Sequence, residues 1–326
     1  MKIKRIEFNV NAAAGALGWW GEGYWYHEFY RALIPFFAKT VDSMNFVAKT
    51  TTWDSQKGNL TLKKDYTPRC LFPGCIRFYF FLCMMLNAVK LSGPGFKKLL
   101  KTGNMQKVAR QAFGISFMPV GETLEEMLKQ SRSFRDELIT TMQNGGFESP
   151  IWVQINDSCP NIDSKEHALV TENIKEILKV FQPLRQNYNL VLDLKINLLM
   201  PNSTIKEIWE KDLCDLITLT NTIKFGTEGL RINWRQLFWW RKNSPLEKFG
   251  GGGLSGKPLF EPLCQKVMSL KLDNIWIPIK ASGGISSVED IFVIRSCGAG
   301  AVEFATAISL RPWRIYRMVK TAKEIF

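Results

Sequence analysis

Short apolar runs alternate along the chain with longer stretches in which apolar residues recur every three to four positions. The first pattern is typical of buried strands, and the second of helices that pack one face against a sheet. The strand candidates are Phe46–Lys49, Phe113–Phe117, Trp152–Ile155, Val191–Ile196, Leu216–Thr220, Ile275–Lys280 and Ala301–Ala305. Their alternation with helical stretches predicts an α/β fold with a parallel sheet.

Capping signals mark where several helices begin. Thr123 and Glu126 have the spacing of a capping box, which predicts a helix that runs to about Asn144 and ends at Gly145-Gly146. A second helix is predicted over His167–Phe181, and the capping spacing recurs at Thr204 with Glu207 and at Ser286 with Glu289.

A short polar segment, Asn156-Asp157-Ser158-Cys159-Pro160-Asn161, directly follows the apolar run Ile151–Ile155. Its two outer asparagines each offer a donor and an acceptor, which suits a planar ligand rich in amides. Between them lies a thiol, which has an ordinary pKa of about 8.5 and needs only modest help to act as a base near neutrality. The segment therefore predicts a site that removes a proton from a small polar molecule.

Composition limits the classes of protein to be considered. The 326 residues suffice for one large domain or two smaller ones, and 46% hydrophobic with 22% charged residues is an ordinary globular composition. The longest apolar run, Phe78–Leu86, is far shorter than the ~20 residues that span a bilayer, and Met1–Glu7 lacks the shape of a signal peptide. The seven cysteines are scattered without a Cys-x-x-Cys pair. This argues for a reducing, cytoplasmic setting and against a zinc or iron–sulfur site, so we expect no metal.

The formal net charge of +13 favours anionic ligands. Nucleic acid is the competing interpretation, but the lysines are dispersed and no recognisable nucleic-acid-binding motif is present, so we expect no nucleic-acid partner. General solubility is the plainest explanation of the charge.

The polar hexapeptide resembles the Asn-x-Ser-Cys-Pro-Asn signature of dihydroorotate dehydrogenases, the flavin enzymes of pyrimidine synthesis. Further segments are similar, in the same order, to loops of that family: Asn11–Gly15, Ala48–Thr51, Gly58-Asn59, Asn87–Leu91, Leu194–Ile196, Thr220–Thr222, Gly252–Pro258 and Ser282–Ile285. These segments fall at or just after the C-terminal ends of predicted strands, the face on which a (β/α)8 barrel binds ligands. An open doubly wound sheet would usually concentrate a Gly-x-Gly-x-x-Gly turn near its first strand, and none occurs there.

We therefore expect one FMN-binding (β/α)8 TIM barrel domain over residues 1–326. Asp65–Asn87 and Lys224–Phe249 exceed a plain barrel and are predicted to be excursions over its C-terminal mouth. The resemblance implies oxidation of dihydroorotate to orotate, with a proton passing to Cys159 and a hydride to N5 of the flavin. Cysteine at this position is similar to class 1 enzymes of the family, whereas class 2 enzymes have serine.

The resemblance also implies which residues bind each ligand. For the substrate they are Lys49, Asn87, Val89, Leu91, Asn156, Asn161, Asn221 and Thr222. For FMN they are Ala14, Gly15, Lys49, Thr50, Asn156, Lys195, Gly252, Gly253, Ser255, Gly256, Ser282, Gly283, Gly284, Ala305 and Thr306. Lys195 would stabilise negative charge on reduced flavin; burying a lysine in this apolar run is otherwise costly, unless it pairs with Asp193.

Three positions depart from the family pattern: Lys90 replaces a glycine, Gly93 often an asparagine, and Asp157 an apolar residue. Lys90 would either strengthen carboxylate binding or narrow the site. These departures leave open a second function, as an FMN-dependent oxidoreductase of a related dihydropyrimidine or enone. A non-catalytic flavin-binding or anion-binding protein is a third hypothesis, and retention of Cys159 and Lys195 argues against it.

The sequence leaves the electron acceptor open among fumarate, NAD reached through a partner subunit, and quinone, although we expect no N-terminal helical extension of the kind that quinone-using relatives have. A homodimer is expected by resemblance alone. The segment Leu237–Lys242 joins aromatic to basic residues. It is predicted either to close over the flavin pocket or to face outward as an interface for a membrane or an electron-accepting partner, and the first interpretation is favoured.

Overall fold

A computed structural model of the protein describes residues 1–157 and 164–326, with side chains described for 1–157 and 172–326. The strands are β1 Lys2–Ile3, β2 Ile6–Glu7, β3 Val10–Ala12, β4 Asn45–Val47, β5 Ile76–Tyr79, β6 Met84–Asn87, β7 Phe113–Phe117, β8 Ile151–Asn156, β9 Leu192–Ile196, β10 Leu216–Leu219, β11 Ile223–Lys224, β12 Gly253–Gly256, β13 Ile279–Ser282 and β14 Ala301–Phe304. The helices are α1 Trp25–Leu33, α2 Phe37–Asp42, α3 Phe96–Lys101, α4 Leu124–Gln143, α5 Ser164–Val180, α6 Gln182–Asn187, α7 Asn202–Glu210, α8 Trp234–Leu237, α9 Phe260–Leu272, α10 Val288–Cys297, α11 Thr306–Leu310 and α12 Pro312–Ile325.

Eight strands close into a barrel in the order β3-β4-β7-β8-β9-β10-β13-β14. Every neighbouring pair in the barrel is parallel. Helices lie between successive barrel strands, because a parallel connection has to return the chain to the same edge. The predicted TIM barrel is confirmed.

Two strand predictions needed correction. The first barrel strand, β3, was missing from the candidates, since it has only three residues and Asn11 interrupts its apolar pattern. The candidate Ile275–Lys280 began too early, because β13 starts after Pro278. Proline has no N–H to donate to a strand ladder, and here its carbonyl oxygen accepts from the Ile217 N–H at 2.9 Å.

The helix predictions fared unevenly. Thr123 caps α4 as expected, accepting from the Glu126 N–H at 3.3 Å, although the Glu126 carboxylate accepts from Glu122 rather than from Thr123. The other two predicted starts were wrong. Thr204 lies inside α7, which begins just after Pro201, and α10 is capped by Ser287 rather than by Ser286. The predicted helix over His167–Phe181 corresponds to α5.

The first predicted excursion, Asp65–Asn87, contains two strands of a second, four-stranded sheet with the order β11-β12-β6-β5; the second excursion contributes only Lys224 of β11. In this antiparallel sheet Asn87 on β6 pairs with Gly253 on β12. The sheet therefore joins the predicted substrate loop to the predicted glycine-rich flavin loop, two segments that lie far apart in sequence.

The barrel interior contains a fully buried polar layer beneath the mouth. Asp193 accepts hydrogen bonds there from Thr218 at 2.7 Å, from Gln154 at 2.8 Å and from Lys280 at 2.9 Å. Apolar side chains fill most of the remaining core. In the part of the chain that the structure describes, no helix is long and apolar enough to cross a membrane.

Candidate active site

An open cleft lies at the carboxyl ends of the barrel strands. Eleven residues predicted to bind flavin or substrate meet in its lining, from separate points of the chain. They are Ala14, Lys195, Asn221, Thr222, Ser255, Gly256, Ser282, Gly283, Gly284, Ala305 and Thr306.

Three predicted polar residues form a continuous hydrogen-bonded chain across different strands. The side-chain amide of Asn221, after β10, donates to Oδ1 of Asn156 at 3.0 Å. Asn156, the last residue of β8, donates in turn to the Thr50 hydroxyl at 3.0 Å, which lies 2.9 Å from the Ser116 hydroxyl. These contacts fix the orientation of both amides at the cleft's edge, as a site for a diamide ring requires.

Lys49 lies after β4 and is held by the protein on two sides. Its ammonium group donates to the Ser92 carbonyl oxygen and lies 4.4 Å from the centre of the Trp19 ring. The same indole explains the glycine at position 93, because a Cβ there would lie 2.8 Å from the Trp19 ring. Trp19 and Gly93 thus form a matched pair beside the lysine that was predicted to bind both substrate and FMN.

The predicted substrate loop is ordered by hydrogen bonds from Asn59, whose side chain donates to the Ala88 carbonyl oxygen at 2.7 Å and whose N–H donates to Val89 at 3.1 Å. Leu91 is buried, whereas the Lys90 side chain is exposed. Lys90 has a φ of 58°, a left-handed conformation that favours glycine, so its backbone keeps the shape that the family's glycine would give.

Close approach of backbones shapes the glycine-rich part of the cleft. Gly284 has a φ of 74°, and a Cβ there would lie 2.6 Å from the Phe260 nitrogen and 2.9 Å from the Gly256 carbonyl oxygen. Only glycine therefore lets these loops meet. In this part of the cleft the hydroxyl oxygens of Ser255 and Thr306 lie 3.2 Å from each other.

A second cation, Lys257, lines this glycine-rich part and is paired with Asp290 at 2.6 Å. The Asp290 carboxylate also accepts from the N–H of Ser286 at 2.9 Å. Lys257 lies in the segment Gly252–Pro258 but was not predicted to bind flavin or substrate. Ser286 was predicted only as the start of a helix.

At the base of the cleft Lys195 forms an ion pair with Glu303, at 3.0 Å. Glu303 also pairs with Lys280 at 3.0 Å, and Lys280 pairs with Asp193 at 2.9 Å. The alternative that Lys195 pairs with Asp193 is thus corrected: Glu303 is the partner of Lys195, and Asp193 pairs with Lys280, which Glu303 also contacts. All four side chains are at most 5% exposed.

Electrostatics keeps this cluster charged. Burial alone would raise the pKa of Glu303, but the ammonium groups of Lys195 and Lys280 outweigh burial and lower that pKa to about 2. Burial would likewise lower the pKa of Lys280, and the carboxylates of Asp193 and Glu303 raise it instead. Two cations face two anions, so the cluster carries no net charge.

Glu303 is the main functional residue that sequence reasoning missed. A signal was available, because Glu303 is a charge inside the apolar run Ala301–Ala305, the same argument that singled out Lys195. Two predicted residues, Cys159 and Asn161, lie outside the described residues. Gly252 and Gly253 lie beside Asn87 rather than in the lining of the cleft, and Gly15 lies against Lys49.

The segment Leu237–Lys242 does not close over the cleft as we had favoured. Trp239 and Trp240 are exposed, whereas Phe238 is buried among the rings of Tyr79, Phe225 and Trp234. The left-handed backbone conformation of Trp239 and Trp240 directs their side chains away from the buried Phe238 ring.

The residues of the cleft fit the flavin mononucleotide that the resemblance implies. The close approach at Gly284 leaves a backbone cradle of the kind that accepts phosphate, with the hydroxyls of Ser255 and Thr306 beside it. Lys195 supplies a cation at the opposite, buried end. Among the side chains of residues 1–157 and 172–326, no cluster of His, Cys, Asp and Glu could hold a metal ion.

Comparison with known proteins agrees with this geometry. The family model described as dihydroorotate dehydrogenase matches residues 44–325. A dihydroorotate dehydrogenase B (NAD(+)) catalytic subunit from Anoxybacillus flavithermus is 26% identical over 270 residues, which are 81% of this chain and 73% of the relative. The protein of the same name from Maridesulfovibrio salexigens is 24% identical over 249 residues, 74% of this chain and 73% of the relative.

Two solved structures of DHODH from Eimeria tenella share the fold. The ligand-free form matches with a TM-score of 0.60 at 18% identity and covers 97% of this chain and 82% of its own. The complex with ferulenol matches with a TM-score of 0.62 at 19% identity, covering 97% and 81%.

Proposed function

This chain belongs to the dihydroorotate dehydrogenase family and is an oxidoreductase acting on CH–CH bonds, and we propose that it oxidises dihydroorotate to orotate with tightly bound FMN. The observation that carries the proposal is the hydrogen-bonded chain from Thr50 through Asn156 to Asn221, beside a glycine-lined cleft with Lys195 at its base.

FMN, when bound, supplies the acceptor for the hydride that leaves the substrate. The residues of the chain do the rest. The amides of Asn156 and Asn221 orient the substrate ring, and Lys195 places positive charge at the buried end of the cleft. Cys159 is proposed as the base that takes the proton, on the strength of its place in the hexapeptide after β8.

Anaerobic mixing of purified protein with dihydroorotate tests the proposal. We expect the flavin absorbance to bleach within the first turnover, and heat should release FMN. Recovery of FAD, or failure of reconstituted protein to bind FMN, would contradict the cofactor assignment. Absence of bleaching by dihydroorotate would contradict the substrate.

One observation favours a second candidate, an FMN-dependent oxidoreductase of a related, uncharged dihydropyrimidine. The ammonium group of Lys49 is already engaged by Trp19 and by the Ser92 carbonyl oxygen, whereas dihydroorotate carries a carboxylate that needs a cation. Bleaching by dihydrouracil in place of dihydroorotate would establish this alternative.

The electron acceptor is proposed from the relatives' names. Both relatives described above are catalytic subunits named for NAD(+), so NAD reached through a partner subunit is the first acceptor to test, with fumarate and a quinone as comparisons.

We propose a single domain over residues 1–326, a homodimer and a cytoplasmic location. The six described cysteines, all free, support the last of these.

A further inference from the structure

Three segments at the edge of the barrel mouth expose large apolar side chains. They are the tip of the β5–β6 hairpin, the turn after α8 and the first turns of α12. We name this surface the aromatic rim; its members are Phe80, Phe81, Leu82, Trp239, Trp240, Trp313 and Tyr316. Phe81 at the hairpin tip is 99% exposed, so this part of the rim is a projection rather than a groove.

Contacts between the segments make the rim one surface. The Tyr79 ring, at the base of the hairpin tip, lies 5.6 Å from the Trp239 ring. On the other side the Arg311 guanidinium donates to the Phe81 carbonyl oxygen at 3.2 Å and lies 5.5 Å from the centre of the Trp313 ring. The hairpin therefore contacts both of the other segments.

The charged side chains within the three segments are all cations. Residues 76–83, 235–242 and 311–317 contain no Asp or Glu, and they contain seven cations: Arg77, Arg235, Arg241, Lys242, Arg311, Arg314 and Arg317. All of these are exposed except Arg311, which is half-buried. Exposed apolar patches of this kind mark interaction sites, and the surrounding cations select an anionic partner.

We propose that the aromatic rim docks on the surface of an anionic phospholipid bilayer. Tryptophan and tyrosine favour the interface between lipid and water, and long cationic side chains can reach lipid phosphates while aromatic rings enter the headgroup region. A projecting hairpin tip surrounded by cations fits the deformable surface of an anionic bilayer. A folded protein partner would instead need an acidic pocket of matching shape. The rim also borders the cleft, because Cys83, which directly follows the hairpin tip, lines the cleft.

Co-sedimentation with vesicles tests the proposal independently of catalysis. We expect the protein to bind vesicles of phosphatidylcholine mixed with phosphatidylglycerol much more tightly than vesicles of phosphatidylcholine alone, and to lose this preference at high salt. Trp239→Ser combined with Trp240→Ser should weaken binding by at least about tenfold. Replacing Arg235, Arg241 and Lys242 together by alanine should weaken it by about a hundredfold, since each cation contributes about fivefold.

The matched control is Trp276→Ser. Trp276 is 65% exposed, against 66% for Trp239, but it precedes β13 and so lies at the end of the barrel opposite the mouth. Flavin content and bleaching should be unchanged in every variant, which separates docking from the proposed function. Equal loss of binding in Trp276→Ser, or no binding of the unmodified protein to anionic vesicles at low salt, would overturn the proposal. Conversion of a dimer to a monomer by Trp239→Ser, measured by light scattering, would instead assign the rim to a second copy of the chain.

Discussion

The ammonium group of Lys195 lies 3.0 Å from a carboxylate oxygen of Glu303, and both side chains are buried at the base of the cleft. The positive charge that Lys195 would offer to reduced flavin is therefore offset by a neighbouring anion. Lys280, on the far side of Glu303, is balanced in the same way by Asp193. The base of the cleft is consequently neutral as a whole.

Glu303→Gln should raise the two-electron reduction potential of bound FMN, because it leaves one uncompensated cation beneath the cleft. Lys195→Met should shift the potential in the opposite direction. Shifts of tens of millivolts are expected, since about 30 mV corresponds to ~1.4 kcal/mol for a two-electron couple. Potentials measured by equilibration with reference dyes, together with FMN dissociation constants, check both variants.

Glu303→Gln should also destabilise the fold, because it leaves the buried Lys195 without its carboxylate, and an unpaired buried charge costs about 3–5 kcal/mol. Chemical denaturation of the unmodified protein and of Glu303→Gln measures that cost. If Glu303→Gln and Lys195→Met have the same FMN reduction potential, the Lys195–Glu303 ion pair stabilises the barrel core and does not tune the flavin.

Cys159→Ala should retain FMN and bind orotate but reduce its flavin about 10²–10⁴-fold more slowly, as is typical when a general base is lost. Cys159→Ser should keep part of the rate, rising towards high pH. Stopped-flow bleaching under anaerobic conditions gives these rates. Cys70→Ala, which removes an exposed cysteine, is the control. A rate in Cys159→Ala close to that of the unmodified protein would exclude the thiol as the base.

Gly284→Ala should release FMN and destabilise the protein by about 2 kcal/mol or more. The new Cβ would lie 2.6 Å from the Phe260 nitrogen in a backbone with positive φ. Gly145→Ala is a matched control, since Gly145 also has positive φ (105°) but nothing lies within 4 Å of its Cβ position. Only the backbone strain, about 1 kcal/mol, should appear there. The FMN-to-protein ratio after gel filtration distinguishes the two, and full flavin retention in Gly284→Ala would count against the cradle.

Stability should fall as the pH is lowered from 6.5 towards 3, because of His27. Burial first, and then Arg31, lower the pKa of His27 from 6.5 to about 3, whereas an unfolded histidine takes up a proton near its ordinary value. The unfolded state therefore binds more protons across this window, and the free energy of unfolding falls by at most about 1.4 kcal/mol per pH unit.

His27→Asn should flatten this dependence while keeping an acceptor for the Tyr24 N–H, which His27 Nδ1 now accepts at 3.1 Å. Denaturation midpoints between pH 7 and 4 provide the measurement. His167→Asn removes the only other histidine of the chain. If that variant, rather than His27→Asn, flattens the curve, the assignment to His27 is wrong.

The sequence alone determined the barrel and most of the cleft. Strand periodicity is a local property, and β7 was predicted residue for residue as Phe113–Phe117. Polar and glycine residues follow the strands in the sequence, and the parallel barrel brings the strand ends together, so residues as distant as Ala14, Lys195 and Thr306 line one cleft.

Tertiary structure decided what depends on contacts between distant segments. The partner of Lys195 is Glu303 on β14 rather than Asp193, because Asp193 and Lys195 are two residues apart on β9 and so occupy different layers of the barrel interior. Lys49 faces Trp19, and Trp239 faces solvent while Phe238 turns inward, for reasons of packing that no local pattern encodes. The charges of the sequence were visible one by one, and only the closed barrel determined which of them neutralise each other.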